Sequence, residues 1–416
     1  MDSIRIDGGI PLEGSLHIQG SKNAALPMMA AAILHEGITV LHHCPKITDV
    51  KYMEEILKSL GAAVWWEGNT VYIDAASVSK HSISKEYAEN MRSSIVVLGS
   101  LLGRCQEAAI PYPGGCVIGS RPIDFHLMAL EKLGAVIEEK DDILYVNGKE
   151  LTGATVVFSR SSVGATQNAL LAAVKAKGRT ILKGCAIEPE VIWLCRFLRQ
   201  MGAQIQGIGS DTLSIKGVTV FQNTEFIVPP DRIVAGTYVC ACAITRGEIC
   251  IENALVGEME ALLDVYTKMG GQYEVKGGKL LLDGKRVKRP VSYLETEIHP
   301  GFPTDMQSPV MAVLAAIPGK SHIRETIFED RFKVVSQLLC MGADIKISGK
   351  DAWIEGVPTL RGATVSAQEL RGGAALVIAA LGAHGETCIE NRHFIERGYE
   401  HICEDISSLG GSIRKT

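Results

Sequence analysis

The segment VIWLCRFLRQMGA, residues 191–203, carries apolar side chains at Val191, Leu194, Leu198 and Met201 and then reaches a glycine. This 3,4 spacing is typical of the buried face of an amphipathic helix. A glycine just past such a helix is a common C-cap, because glycine adopts the left-handed conformation at little cost. The segment therefore predicts a helix that closes at Gly202.

The closing phrase of this segment recurs along the chain. It consists of leucine or methionine, then glycine, then alanine or glycine, and its glycines are residues 61, 134, 202, 270, 342 and 410, spaced 68 to 73 residues apart. A glycine followed by an alternating strand precedes the phrase by 23 to 25 residues at Gly37, Gly178, Gly247, Gly319 and Gly385. This register indicates an internal repeat of about 70 residues.

Each repeat is predicted to contain a strand, a helix, a strand, a helix and two strands. The first helix is strongly apolar, as in residues 23–34 and 163–176, and the second is amphipathic. A hairpin follows, as in residues 64–73. The repeat is longer than the 20–50 residues typical of solenoids, which favours a closed arrangement of small subdomains over an open stack.

Six repeats divide naturally into three plus three, and Pro229-Pro230 is the predicted crossover. The sixth repeat stops short of its second hairpin strand and of the strand that would follow. Residues 4–18 are well placed to supply both. We therefore predict one domain from residues 22–229 and a second from residues 1–21 plus 230–416.

Composition limits the function classes. The formal net charge of -5 argues against coating nucleic acid, and no apolar run approaches the ~18 residues of a membrane helix. The chain starts without an apolar signal core, and its eleven cysteines are scattered without a CxxC spacing. We expect reduced thiols, a cytoplasmic location, and neither nucleic acid nor membrane as a partner.

Polar residues gather at the start of the first helix of every repeat. They are Lys22-Asn23, Arg92-Ser93-Ser94, Ser162-Val163-Gly164, Asp231-Arg232, Thr304-Asp305 and Arg371-Gly372. Each one alone is explained as a cap or a solvated helix end, but six in register predict a surface of convergent N–H groups that binds anions. Arg121, Arg331 and Arg397, near the starts of second helices, suit phosphate or carboxylate recognition.

The second repeat carries a long Gly/Pro-rich loop at residues 111–122 with a single thiol, Cys116, before Arg121. Such a loop is a candidate lid. Nearby cations lower the pKa of a thiol from ~8.5, so we favour a reactive Cys116 over an incidental surface cysteine.

Four stretches resemble the enolpyruvyl transferase family, in particular its branch acting on UDP-N-acetylglucosamine: residues 20–27, 113–124, 302–307 and 397–400. The resemblance runs from about residue 3 to the C-terminus. It implies the inside-out α/β barrel, with two domains each of three βαβαββ subdomains. It also implies transfer of the enolpyruvyl group of phosphoenolpyruvate to the 3′-hydroxyl of UDP-N-acetylglucosamine, with phosphate released by addition and elimination.

In this family that reaction is the committed step of peptidoglycan synthesis, which ties it to cell wall biogenesis, cell shape, the cell cycle and cell division. It is also the target of fosfomycin. The resemblance implies a cytoplasmic transferase with small-molecule substrates and without a metal or cofactor. The oligomeric state stays open, with a monomer as the working expectation.

The resemblance also implies a role for individual residues. Cys116 would donate a proton to C3 of the enol, and Asp305 would accept the 3′-hydroxyl proton, with Lys22 and Arg397 completing the catalytic set. The phosphoenolpyruvate set is Lys22, Asn23, Arg121, Arg331, Arg371 and Arg397. The sugar-nucleotide set is Asn23, Arg92, Arg121, Pro122, Ile123, Asp124, Phe125, Arg160, Ser161, Ser162, Val163, Asp305 and Ile327.

Two residues depart from the family pattern: Arg160 stands where lysine is common, and Glu369 where aspartate is common. Two other functions compete with the main one. The sister enzyme of aromatic biosynthesis moves enolpyruvyl to shikimate 3-phosphate on the same fold, and a silent paralogue would bind UDP-sugar without catalysis. The Cys116 loop and the Lys22-Asn23 pair favour the enzyme acting on UDP-N-acetylglucosamine.

Overall fold

A computed structural model describes residues 2–114, 118–119 and 122–416. Short strands and helices alternate along the first part of the chain. The strands are β1 (Ser3–Asp7), β2 (Glu13–Leu16), β3 (Ile38–His42), β4 (Ala63–Glu67), β5 (Thr70–Asp74), β6 (Glu107–Pro111), β7 (Val136–Lys140), β8 (Ile143–Asn147), β9 (Thr155–Val157), β10 (Arg179–Lys183), β11 (Gln204–Gln206), β12 (Thr212–Lys216) and β13 (Thr224–Ile227). The helices are α1 (Lys22–Ala32), α2 (Thr48–Leu60), α3 (Lys85–Asn90), α4 (Val97–Cys105), α5 (Asp124–Lys132), α6 (Val163–Ala173) and α7 (Pro189–Gln200), with a 3₁₀ helix at Arg92–Val96.

The second part of the chain continues the alternation. Its strands are β14 (Glu248–Ile251), β15 (Gln272–Lys276), β16 (Lys279–Asp283), β17 (Leu294–Glu295), β18 (Gly319–Arg324), β19 (Asp344–Ser348), β20 (Asp351–Gly356), β21 (Leu360–Arg361), β22 (Thr364–Ser366), β23 (Ala383–His384), β24 (Glu386–Glu390) and β25 (Ser412–Lys415). Its helices are α8 (Arg232–Thr245), α9 (Glu260–Met269), α10 (Gln307–Ala315), α11 (Val335–Cys340), α12 (Leu370–Leu381), α13 (His393–Glu396) and α14 (Ile402–Ser408). Its 3₁₀ helices are Val256–Glu258, Thr304–Met306 and Arg331–Val334.

The chain divides into two compact units. The first holds the described residues 2–19, 118–119 and 230–416, and the second holds 20–114 and 122–229. In the second unit the sheets have the orders β13-β3-β5-β4, β6-β8-β7 and β11-β12-β10-β9. In the last of these, β9 runs parallel to β10, and β12 is antiparallel to β10 and β11. This repeat has the βαβαββ order that the sequence predicts.

The first unit has three four-stranded sheets, β15-β16-β14-β2, β17-β18-β20-β19 and β22-β24-β1-β25, and the small pair β21-β23. Two of its strands come from the N-terminal stretch. Strand β1 pairs with both β24 and β25, and β2 runs parallel to β14. Residues 3–16 thus fill the last hairpin position of the sixth repeat and the first strand position of the fourth.

The first helix of each repeat lies at the centre of its unit. Helix α4 packs against α1 and α6 in one unit, and α8, α10 and α12 pack on one another in the other. All nine residues of α10 are buried, as are nine of the eleven in α6. None of the helices in the described residues is long and apolar enough to cross a membrane.

The repeat glycines have the conformation that the sequence predicts. The glycines at 61, 134, 202, 270, 342 and 410 all have positive φ, between 86° and 113°. Helix α7 ends at Gln200 and the chain turns at Gly202, where φ is 113°. This confirms glycine as the residue that ends the second helix of each repeat.

A second glycine position is set by close approach. Where the last hairpin strand ends, the chain crosses the carbonyl end of the central helix. A Cβ added to Gly217 would lie 1.7 Å from the Ala176 oxygen, and one added to Gly356 would lie 1.7 Å from the Ile317 oxygen. Both obstacles are backbone atoms, so a larger side chain would force the sheet away from the helix.

Gly356→Ala is therefore expected to destabilise the protein by about 1–3 kcal/mol through overpacking. Differential scanning calorimetry should show this as a drop in the melting temperature of roughly 2–4 °C per kcal/mol. Gly257→Ala is the matched control, since a Cβ there meets no atom within 4 Å. Equal melting temperatures for the two variants would contradict the close-approach argument.

Candidate active site

Four of the six apolar central helices in the described part of the chain start at polar N-caps, whereas α4 and α10 each continue directly from a 3₁₀ helix. The side chains of Ser21 and Ser162 accept hydrogen bonds from first-turn N–H groups of α1 and α6. Asp231 does the same for two N–H groups of α8, and Glu369 for two of α12. Caps therefore explain part of the polar pattern at these helix starts.

Asp305, just before α10, is held by two arginines. Its Oδ1 accepts a hydrogen bond from Nη2 of Arg331 at 2.6 Å, and its Oδ2 accepts one from Nη2 of Arg371 at 3.3 Å. Both arginine side chains are almost fully buried, whereas that of Asp305 is 29% exposed. The contacts join the starts of α10 and α12 and hold both oxygens of a carboxylate that remains partly exposed.

Arg371 is anchored on its other side by Tyr399. Nη1 of Arg371 donates to the Tyr399 hydroxyl at 3.4 Å, and that hydroxyl lies 2.7 Å from the Thr237 hydroxyl. Thr237 donates its own proton to the Ile233 carbonyl, so Tyr399 must donate to Thr237. A chain of hydrogen bonds therefore links α8, Tyr399 and Arg371 to Asp305.

The pKa values of Arg371 and Tyr399, two members of this hydrogen-bond chain, follow from burial and charge. Burial alone would lower the pKa of Arg371, but the Asp305 carboxylate, with Tyr399 and Asp231, raises it above its ordinary value. Burial raises the pKa of Tyr399. Arg371 therefore stays charged and Tyr399 stays protonated, so the hydroxyl remains a donor to Thr237.

A buried glutamate organises the loop beside Asp305. Glu325 accepts a hydrogen bond from the Thr304 hydroxyl through Oε2, and from the N–H groups of Ile327 and Phe328 through Oε1. The Thr304 carbonyl in turn accepts two hydrogen bonds from Arg331. These contacts connect the predicted site residue Ile327 to the segment that carries Asp305.

Lys22 and Asn23 form the first turn of α1 in the second unit, and both are half-buried. Nζ of Lys22 lies 3.4 Å from Oδ2 of Asp49, a buried carboxylate in the first turn of α2. This ion pair fixes the position of the ammonium group predicted to bind phosphate.

The other predicted residues of the second unit lie on three segments. Arg92 starts a 3₁₀ helix and donates to the Pro113 carbonyl at 3.1 Å. The Arg160 guanidinium lies 5.5 Å from the ring centre of Phe125, which packs edge-on against Phe158. The lysine-to-arginine departure at position 160 therefore places a stacking cation on an aromatic ring.

The structure brings together Asp305, Arg331 and Arg371 by direct contact, with Ile327 on an adjoining loop and half-buried Arg397 near Tyr399 in the chain. In the second unit it brings Arg160 onto Phe125, beside Pro122, Ile123, Asp124, Ser161, Ser162 and Val163 along the chain. Cys116 and Arg121 lie outside the described residues. Within the described part of the chain, no group of three His, Cys, Asp or Glu side chains could hold a metal ion.

Sequence reasoning missed Asp49 and Glu325 as partners of predicted site residues. In the sequence, Asp49 looks like any acidic residue in the first turn of a helix, where carboxylates are common because of the helix dipole. Glu325 follows a strand, and its burial of 99% could not be read from the sequence. The spacing of neither residue gives a signal that would have identified it.

Comparison with known proteins gives a consistent result. The family model of EPSP synthase (3-phosphoshikimate 1-carboxyvinyltransferase) matches residues 6–406. The UDP-N-acetylglucosamine 1-carboxyvinyltransferase 2 of Caldanaerobacter subterraneus is 43% identical over 413 residues, covering 99% of both chains. The corresponding enzyme 1 of Symbiobacterium thermophilum is 42% identical, covering 99% of this chain and 94% of that protein.

Solved structures share the fold. The enolpyruvyl transferase NikO from Streptomyces tendae superimposes with a TM-score of 0.90 at 24% identity, covering all of this chain and 98% of that one. EPSP synthase from Acinetobacter baumannii has a TM-score of 0.76 at 17% identity, covering both chains fully. These likenesses confirm the predicted fold class, the α/β fold of the enolpyruvyl transferases.

Tyr399→Phe is expected to lower the free energy of unfolding by about 1–3 kcal/mol, because a buried N–H of charged Arg371 loses its acceptor. Tyr293→Phe is the matched control, since its hydroxyl also bonds a neighbouring group, Glu295, but on the surface. The control should change stability by less than about 0.5 kcal/mol. Urea-induced unfolding measures both changes. Equal losses in the free energy of unfolding would show that the buried hydrogen bonds of Tyr399 stabilise the protein no more than a surface hydrogen bond does.

Proposed function

The chain belongs to the EPSP synthase family of enolpyruvyl transferases, and we propose that it transfers the enolpyruvyl group of phosphoenolpyruvate to the 3′-hydroxyl of UDP-N-acetylglucosamine, releasing phosphate. The observation that carries this proposal is 40–43% identity, over essentially the full chain, to proteins named for that reaction. The solved EPSP synthase shares only 17% identity. The phosphoshikimate reaction is therefore the weaker assignment.

The described cations support an anionic substrate. Lys22 and Arg397, with Arg121 outside the described residues, would hold the phosphate of phosphoenolpyruvate. Arg331 and Arg371 would lie on its carboxylate side with Arg397. Asn23 would contact both substrates from the first turn of α1, where the positive end of the helix dipole also favours an anion.

Asp305 is proposed to act on the acceptor hydroxyl. Two buried guanidinium groups favour its ionised form and fix the direction of its oxygens. A carboxylate held in this way can accept a hydrogen bond from the 3′-hydroxyl and take its proton as the oxygen attacks C2 of the enol. The partial exposure of the Asp305 side chain, 29%, leaves room for that contact.

Cys116 is proposed to complete the addition step. Its thiol would deliver a proton to C3 as the new C2–O bond forms, giving a tetrahedral ketal that still carries phosphate. Loss of a C3 proton and departure of phosphate then restore the double bond, so the enolpyruvyl ether and inorganic phosphate are the products. The covalent phospholactoyl adduct of this family would form on the same thiol.

Residues of the second unit are the main proposed contacts of the sugar nucleotide, and Asp305 and Ile327 are proposed as further contacts. The main contacts are Asn23, Arg92, Arg121, Pro122, Ile123, Asp124, Phe125, Arg160, Ser161, Ser162 and Val163. We further propose that the reaction takes place in the cytoplasm as the committed step of peptidoglycan synthesis.

Mixing the protein with phosphoenolpyruvate and UDP-N-acetylglucosamine should release inorganic phosphate, and mixing it with phosphoenolpyruvate and shikimate 3-phosphate should not. A coupled phosphate assay measures both. Phosphate release from phosphoenolpyruvate with shikimate 3-phosphate, but not with UDP-N-acetylglucosamine, would assign the sister activity. Binding of UDP-N-acetylglucosamine without phosphate release would identify a silent paralogue.

Fosfomycin, an epoxide phosphonate, is expected to alkylate Cys116 and stop phosphate release. Peptide mass mapping should find the label there and not on exposed Cys340. Burial raises the pKa of Cys185 and of Cys195 to about 12, which makes these two thiols poor nucleophiles as well as inaccessible ones.

Two variants of Cys116 separate its proposed roles, the nucleophile that fosfomycin alkylates and the proton donor in the reaction. Cys116→Asp should resist fosfomycin and stay active, with activity rising toward acid pH because an aspartate donor of reference pKa ~3.9 must be protonated. Cys116→Ser should also resist but lose most turnover, since a hydroxyl is a weak acid near neutral pH. Label on another cysteine, with Cys116 unmodified, would show that the wrong thiol was assigned.

A further inference from the structure

Asn168 lies in the second turn of α6 and is fully buried. Its side-chain amide contacts two other segments of the second unit. Oδ1 accepts a hydrogen bond from the N–H of Gly99 at 2.6 Å, and Nδ2 donates to the carbonyl of Ile95 at 2.8 Å. Nδ2 also lies 2.8 Å from Nδ1 of His126.

The directions of these hydrogen bonds are determined by the backbone partners. A backbone N–H can only donate and a carbonyl can only accept, so the Asn168 amide has one orientation. Nδ2 is therefore the donor to His126, and Nδ1 of the imidazole must be the acceptor. This assigns the neutral His126 ring its proton on Nε2.

The His126 ring in turn packs on the start of α6. A Cβ added to Gly164 would lie 3.0 Å from Cε1 and 3.1 Å from Nε2 of the imidazole. The ring therefore rests against the backbone of the first helical turn, two residues after the N-cap Ser162. Any side chain larger than hydrogen at position 164 would press on the ring.

The three segments that meet at Asn168 are those that carry the proposed sugar-nucleotide contacts. Ile95 and Gly99 follow Arg92 along the same helical segment, His126 follows residues 122–125, and Gly164 follows residues 160–163. We propose that Asn168, acting through His126, is a positioning residue that holds these segments in the arrangement that binds UDP-N-acetylglucosamine. This inference rests on the proposed function.

Asparagine suits this role because its amide both accepts and donates at every pH, which an ionised aspartate and a leucine cannot do. The repeats show that the fold does not demand it. The sixth residue of α6 is Asn168, whereas the sixth residue of α1 is Pro27 and that of α8 is Thr237. The asparagine is thus specific to the repeat whose neighbours carry the sugar-nucleotide contacts.

The test is Asn168→Asp, which keeps the size and the acceptor for Gly99 but removes both donated hydrogen bonds. Steady-state phosphate release should show KM for UDP-N-acetylglucosamine raised by about tenfold or more, with KM for phosphoenolpyruvate and kcat changed far less. Gly164→Ala displaces the ring from the opposite side and should raise the same KM. If Asn168→Asp does not fold, Gly164→Ala and direct titration with the sugar nucleotide decide the question.

Ile73→Ala, in a buried position of β5, is the control for lost stability alone. It should lower the melting temperature and leave both KM values unchanged. The proposal is wrong if Asn168→Asp matches this control, or if both KM values rise equally. Failure of the wild-type protein to use UDP-N-acetylglucosamine would instead reject the proposed function.

Discussion

Burial of the central helices imposes one constraint on which the rest of the structure depends. An apolar helix that is covered on all sides cannot leave its first-turn N–H groups to bulk water, so these groups need acceptors within the protein, from a side-chain cap or from a preceding 3₁₀ turn. Ser21, Ser162, Asp231 and Glu369 are the side-chain caps of α1, α6, α8 and α12. The polar residues required by folding therefore lie at the same helix ends as those proposed to bind substrate.

The cluster around Asp305 shows how such a helix end becomes a preorganised site. Arg331, Arg371, Asp305 and Glu369 place two positive and two negative charges in contact, so little net charge is buried. A buried ion pair of this kind stabilises little by itself, but removing one partner leaves an uncompensated charge. The four groups thus hold one another in place, and an added anion would meet side chains positioned by Tyr399 and, through Thr304, by Glu325.

Much of the fold could be predicted because glycine and apolar spacing report local geometry. The glycines at 202 and 342 mark helix ends by their left-handed conformation, and the repeat order follows from counting between them. Ion pairs such as that of Lys22 with Asp49, and the Asn168 amide, could not be predicted. They join residues 27 to 73 positions apart, and the type of each residue is equally compatible with a solvated surface or a helix cap.

The position of β1 has a consequence for synthesis on the ribosome. The second unit comes almost entirely from one continuous stretch, residues 20–229, and can fold as that stretch emerges. In the first unit, β1 hydrogen-bonds to β25, and the N–H of Ser3 donates to the carbonyl of Thr416. Strand β1 must therefore wait, without its neighbours, until β24 and β25 have been translated and have left the exit tunnel. Because residues 3 and 416 are neighbours, a short linker could join them in a circular permutant, in which β25 and β1 would be translated one directly after the other.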